Sequence, residues 1–222
     1  GSTFNVIRAA QSIETHGADG IMLLPPMRYK SDEAETVDFF TTVATSTSLP
    51  VMVYNNPVDY KIEVTLPMFE KLAKIDNIQA VKESTRDVSN VTRMKNAFGD
   101  RFKILCGVDT LTLEEIALGA DGLVAGLVDA FPAETVAIFN LMKAGQHDEA
   151  LKIYRWFLPL LELDIVPKLV QYIKLAATQT GIGSEYVRAP RKMITGAERE
   201  SVLAIINQGL ANRPQLPEYK NL

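Results

Sequence analysis

Five short apolar runs, each bounded by turn residues and followed by a helix-like stretch, restrict what this chain can fold into. The runs are Gly20–Pro26 (GIMLLPP), Pro50–Asn56 (PVMVYNN), Ile78–Ser84 (IQAVKES), Phe102–Asp109 (FKILCGVD) and Gly122–Val128 (GLVAGLV). They do not alternate apolar with polar, so they predict strands buried on both faces, as in a parallel sheet. Between them, Ser31-Asp32-Glu33 can cap and charge a helix start before Thr36–Thr45. Thr65–Ile75 spaces Leu66, Phe69, Leu72 and Ala73 along one helical face, and Val88–Phe98, Leu111–Leu118 and Ala133–Ala144 read the same way. Strand then helix, repeated five times, describes stacked β-α units.

An internal echo agrees. Gly17-Ala18-Asp19-Gly20 and Gly119-Ala120-Asp121-Gly122 each end a helical stretch and open an apolar run. A glycine closing a helix in the left-handed conformation lets the chain drop straight into a strand. The same tetrapeptide at equivalent points of two units predicts a barrel or a doubly wound sheet. Beyond about residue 147 the pattern changes. His147–Leu163, Pro167–Gln179 and Ala197–Ala211 read as helices with no strand between them, and Arg213–Leu222 as a surface strap. The expected organisation is a partial β/α barrel domain over residues 1–146 and a helical region over 147–222.

Composition narrows the function classes. A net charge of −4 with scattered Lys and Arg gives no footprint for nucleic acid and no polybasic membrane patch. No apolar stretch is long enough to cross a bilayer. The single cysteine, Cys106, excludes an internal disulfide framework, and His16 and His147 stand far apart without metal-ligand spacing. A reducing, cytoplasmic setting is expected.

In parallel β-α architectures the ligand sits at the carboxyl ends of the strands. The polar residues falling there are Arg28 and Tyr29; Tyr54, Asn55 and Asn56; Lys82, Glu83 and Ser84; Cys106 and Asp109; and Asp129. Lys82 is the outlier, because it follows Ile78, Ala80 and Val81 in a strand expected to be buried. An ammonium there is costly to keep charged, and a neutral amine is a nucleophile whose natural target is a carbonyl carbon. The competing reading is a strand-end lysine that snorkels to water. Tyr54 ends the preceding strand at the same height, where a phenol can move protons during imine chemistry; it could equally be an amphipathic core tyrosine.

The chain resembles the dihydrodipicolinate synthase/N-acetylneuraminate lyase family of class I aldolase-fold enzymes. Tyr54-Asn55-Asn56-Pro57 is similar to the strand end carrying the family's catalytic tyrosine, and Val81-Lys82-Glu83 to the strand end carrying its Schiff-base lysine. Gly107 matches the glycine after the next strand. Gly122-Leu123-Val124 matches the last strand, whose main chain lines the 2-oxo-acid pocket. Val187-Arg188-Ala189-Pro190-Arg191 matches an Arg-x-Pro motif of the C-terminal helices. The resemblance implies a (β/α)8 TIM-barrel fold, Lys82 as nucleophile, Tyr54 as proton shuttle, and Gly107 and Val124 as pocket-lining backbone. It also implies no metal or organic cofactor, since the amine itself supplies the electron sink, and a homo-oligomer, dimer or tetramer.

Departures carry information too. The family barrel has eight strands, and the alignment begins this chain just before family strand four. The first three units, with a Gly-Thr-Thr-Gly-Glu loop that holds the substrate carboxylate, are therefore expected to be absent. Synthases of the family place an arginine two residues after the proline of the tyrosine motif, where it binds a second carboxylate; here Asp59 stands there. They also carry a tyrosine pair after strand four, where this chain has Met27-Arg28. The expected activity is Schiff-base lyase chemistry on pyruvate or another small 2-oxo acid, as an aldolase, dehydratase or deaminase. Arg28 could clamp a substrate carboxylate or simply solvate a loop. Asp109 and Thr110 are expected to cap the next helix, and Cys106 to be an inert core thiol. Two alternatives remain at this point: a TIM-barrel isomerase or lyase holding a phosphate near Gly122 and Gly126, and a catalytically incompetent piece of family sequence.

Overall fold

The computed structural model describes residues 2–222. The chain divides into two compact units: everything up to Gly107 together with Leu118–Leu123, and Val108–Ala117 together with Val124–Leu222.

The first unit holds one five-stranded parallel sheet in the order β1-β2-β3-β4-β5: Ile21–Leu23, Val51–Asn55, Ile78–Glu83, Lys103–Cys106 and Gly122–Leu123. Its helices are α1 (Thr3–Thr15), α2 (Glu33–Ala44), the four-residue α3 (Pro57–Tyr60), α4 (Leu66–Leu72) and α5 (Ser89–Phe98). Helix α2 begins where the sequence indicates. The Asp32 carboxylate accepts from the Glu35 amide at 2.9 Å, and the Glu35 carboxylate accepts from the Asp32 amide at 3.1 Å, closing a capping box. Gly17 (φ 80°) and Gly119 (φ 103°) both take the left-handed conformation before their strands, a backbone that side chains with a Cβ adopt only with strain.

The expectation that the strands are buried on both faces needs correction. Burial alternates along β2, where Val51, Val53 and Asn55 are buried while Met52 and Tyr54 are only partly so. Helices α1, α2, α4 and α5 cover one face alone, with Phe39, Phe40, Val43, Phe69, Leu72, Val91 and Met94 packed on Leu23, Val51, Val53, Ile78, Val81 and Ile104. The other face carries Met22, Met52, Tyr54, Ala80, Lys82 and Leu105. The apolar runs look continuous because that second face is also mostly apolar.

One irregularity sets the phase of β3. Val51 pairs with Ile78, but the next residue, Met52, pairs with Ala80, so Gln79 is an extra residue opposite the β2 ladder. The bulge lets Ile78 and Val81 both enter the core beneath the helices. The alternation after it sends Ala80 and Lys82 to the open face.

The second unit contains no paired strand among its described residues. A 3₁₀ turn (Asp109–Leu111) leads into α6 (Thr112–Ala117); α7 (Pro132–Lys143), α8 (His147–Leu161), α9 (Leu169–Gln179) and α10 (Gly196–Ala211) follow. Their shared core includes Leu127, Phe131, Ile138, Leu141, Phe157, Leu160, Leu175 and Ile206. The tail is tied to this unit: Arg213 pairs with buried Glu134, and the Tyr219 carbonyl accepts from Asn140 Nδ2 at 2.9 Å. Among the described residues no helix is long and apolar enough to cross a membrane.

Phe69 meets Phe98 and Phe102 in a ring cluster, with centroids 6.4 and 5.5 Å away, and is fully buried. Phe69→Ala removes that filling and leaves a cavity in the core. It is expected to lower the unfolding free energy by about 3–5 kcal/mol in a urea titration.

Candidate active site

Lys82 and Tyr54 are register partners at the carboxyl ends of adjacent parallel strands, on the face that the helices leave open. Parallel pairing and the bulge at Gln79 leave both side chains pointing the same way. Lys82 Nζ stands 4.2 Å from the centre of the Tyr54 ring. Both residues are partly buried, so the amine is neither sealed in the core nor free in bulk water.

Gly107 closes the third side. Its amide donates to the Glu83 carbonyl at 2.7 Å, which brings the backbone hard against β3. A Cβ at this position would lie 2.8 Å from Lys82 Cγ and Cε and 2.1 Å from Ser84 Oγ. Glycine is therefore required by close approach, and the lysine stem runs along bare backbone. Ser84 Oγ is buried beside it and finds no hydrogen-bond partner among the described residues.

The neighbours of the pair are fixed by polar contacts. The Asn55 side chain, fully buried, accepts from the Val64 amide at 2.9 Å and donates to the Val64 carbonyl at 3.0 Å. It thereby pins both ends of the loop that follows Tyr54. Asn56 caps α3, accepting from the Asp59 amide at 3.2 Å, and its Nδ2 donates both to Asp59 Oδ2 at 2.7 Å and to the Tyr54 hydroxyl at 3.1 Å. Tyr60 meets the Tyr54 ring edge-on, 5.4 Å between centroids. Burial first, then the Tyr54 and Asp59 charges, hold its hydroxyl protonated above the usual phenol range. Sequence reasoning did not foresee this cluster, because a four-residue helix has no periodicity to read.

Glu83 points the opposite way from Lys82 and is buried. It accepts from the Thr85 amide at 2.7 Å and from Asn90 Nδ2 at 2.8 Å, which ties the end of β3 to α5. Burial pushes its carboxyl above the ordinary range, against the pull of those two donors. Cys106 is buried at the end of β4.

The other candidates fall elsewhere. Arg28 is exposed in the turn after β1 and lines a cleft of about 580 Å³ with Ser2, Thr3, Pro26, Tyr29, Glu35, Asp38 and Phe39. Tyr54, Lys82 and Gly107 are not in that wall. Val124 is partly buried and belongs to the second unit, directly after β5. Asp109 departs from its expected capping role: its buried carboxylate accepts from the amides of Gly126 and Leu127, both at 2.8 Å. A carboxylate there finds two orphan donors across the chain, a better bargain than capping one short turn. Among the described residues no cluster of three or more His, Cys, Asp or Glu could hold a metal ion.

The arrangement of lysine, phenol and close glycine sits within a sequence whose model for the Dihydrodipicolinate synthetase family matches residues 1–209. The chain belongs to that family. Within the Dihydrodipicolinate synthetase family it is similar to the 4-hydroxy-tetrahydrodipicolinate synthase of Exiguobacterium sibiricum, 34% identical over 193 residues, which are 86% of this chain and 64% of the relative. The enzyme of the same name from Oceanobacillus iheyensis is 26% identical over 201 residues, 90% of this chain and 68% of the relative. The chain thus spans about two thirds of the length of these relatives. Solved structures agree on the fold. Dihydrodipicolinate synthase from Bacillus anthracis superposes with a TM-score of 0.89 at 26% identity, covering 96% of this chain and 72% of that one. The synthase of Methylacidiphilum fumariolicum gives 0.85 at 27%, covering 95% and 71%. The TIM-barrel resemblance read from the sequence is borne out, with five parallel strands present here.

Because folding raises the affinity of Glu83 for a proton, its ionisation opposes folding as pH rises through its folded value. Glu83→Gln is therefore expected to raise stability at pH 7 relative to wild type. In urea titrations run at several pH values, the gap should narrow towards acid pH; a gap that widens there would contradict the burial argument.

Proposed function

We propose that this chain carries the imine-forming lysine of a lyase acting on pyruvate or another small 2-oxo acid. The observation that carries the reading is the pairing of Lys82 with Tyr54 on the open end of the sheet, the amine 4.2 Å from the ring centre. A neutral Lys82 Nζ attacks the 2-oxo carbon, giving a carbinolamine. Loss of its hydroxyl as water leaves an iminium, and the proton for that departure comes from the Tyr54 hydroxyl. The iminium withdraws electrons from the adjacent carbon and so serves aldol cleavage, dehydration or deamination alike. Gly107 gives the lysine stem its room.

Asp59 favours a particular substrate class. Its carboxylate lies beside the tyrosine loop, bonded to Asn56, where a second substrate carboxylate would meet like charge. A 2-oxo acid with a single carboxylate and an uncharged remainder suits the site better than a dicarboxylate. The family resemblance further suggests a cytoplasmic homo-oligomer, dimer or tetramer.

The packing around Gly126 speaks against the phosphate-binding alternative. The amides of Gly126 and Leu127, which a phosphate would take, already donate to Asp109, and the space beside Gly126 is filled by Asp164 and Ile173.

Incubation with pyruvate and borohydride is expected to leave a covalent adduct on Lys82 in peptide mass spectra, and Lys82→Ala to abolish it. Gly107→Ala should cut adduct formation at least tenfold, since the lysine stem must swing away from the added methyl, roughly 1.4 kcal/mol or more at the transition state. A folded wild-type sample with unlabelled Lys82 would refute the assignment.

A further inference from the structure

Resting on the Schiff-base reading, we infer that Asn56, held by Asp59, is a positioning residue for Tyr54 that aims the phenol proton at the adduct on Lys82. The hydrogen-bonding valences of three groups fix this arrangement. An ionised carboxylate only accepts, so Asp59 Oδ2, 2.7 Å from Asn56 Nδ2, dictates which way the Asn56 amide faces. The amide oxygen is occupied as well, accepting from the Asp59 backbone at 3.2 Å. With both ends of the amide assigned, the second N–H of the same nitrogen points at the Tyr54 hydroxyl, 3.1 Å away.

Tyr54 therefore receives a hydrogen bond from Asn56 and cannot return one to that NH2 group. Its own proton must go elsewhere. The titratable and charged groups facing it are Lys82 from β3, and Asp59 and Tyr60 from α3. Tyr60 packs edge-on against the Tyr54 ring, 5.4 Å between centroids, and burial holds its own hydroxyl above the usual phenol range. With the Asp59 oxygen engaged by Asn56, the Tyr54 proton is available to the oxygen departing from the carbinolamine on Lys82. The carboxylate at position 59 thus acts through Asn56: it locks the amide, the amide locks the phenol, and the phenol delivers the proton. Asn56 itself is buried.

Asn56 also caps α3, so the test must separate the two roles. Serine is a good cap but too short to reach the Tyr54 hydroxyl. With Asn56→Ser, the maximal rate of borohydride-trapped labelling of Lys82 by pyruvate is expected to fall roughly tenfold, the worth of one buried hydrogen bond. The half-saturating pyruvate concentration and the thermal unfolding midpoint should stay as in wild type. Asp59→Ala should fall between the two, because the amide is then free to turn over. Labelling of Asn56→Ser at the wild-type rate would overturn the inference while leaving Lys82 as the nucleophile. A lower unfolding midpoint with an unchanged rate would likewise overturn it, reducing Asn56 to a cap. Absence of any adduct in the wild-type chain would overturn the lysine assignment, and this inference with it.

Discussion

The site depends on the sheet being buried on one side only. Helices α1, α2, α4 and α5 press on the face of Val51, Val53, Ile78, Val81 and Ile104, and this packing fixes the phase of every strand. A slip of one residue would exchange the faces and drive a lysine into the core. The extra residue at Gln79 is what reconciles two demands on β3, to place both Ile78 and Val81 under the helices and still turn Lys82 outwards. The placement of Lys82 and Tyr54 on the open face is thus set by core packing on the other. Gly107 finishes the construction by letting the β4 exit lie against the lysine stem.

Much of this was legible in the sequence. The five apolar runs became the five strands, and the capping residues before α2 and the repeated Gly-Ala-Asp-Gly behave as local rules require. Long helices with clear periodicity, such as α8, were found almost to the residue. The Lys82–Tyr54 pairing followed from counting positions along two parallel strands. The one-sided burial was not legible, because a face lined by Met52, Ala80 and Leu105 looks as apolar as a buried one. The bulge was hidden for the same reason. Nor could sequence periodicity find the Asn56–Asp59–Tyr54 network, which hangs on a four-residue helix. Asp109 reads locally as a cap, yet its partners lie 17 and 18 residues away in the chain.

Membership of the Dihydrodipicolinate synthetase family accounts for the fold, while the residues around Tyr54 give this chain its own character. Where a cation would welcome a second carboxylate, Asp59 offers a negative charge and spends one oxygen on Asn56. In the proposed mechanism the side chain that would discourage a dicarboxylate also orders the phenol, so substrate choice and proton delivery would be coupled through one loop, itself anchored by Asn55 to Val64.

The most direct test of this account is a crystal structure of the chain soaked with pyruvate. Continuous density from Lys82 Nζ to the C2 atom of pyruvate, with the Tyr54 hydroxyl within hydrogen-bond distance of the adduct, is the expected result. Pyruvate bound elsewhere beside an unmodified Lys82, or an adduct turned away from Tyr54, would contradict it.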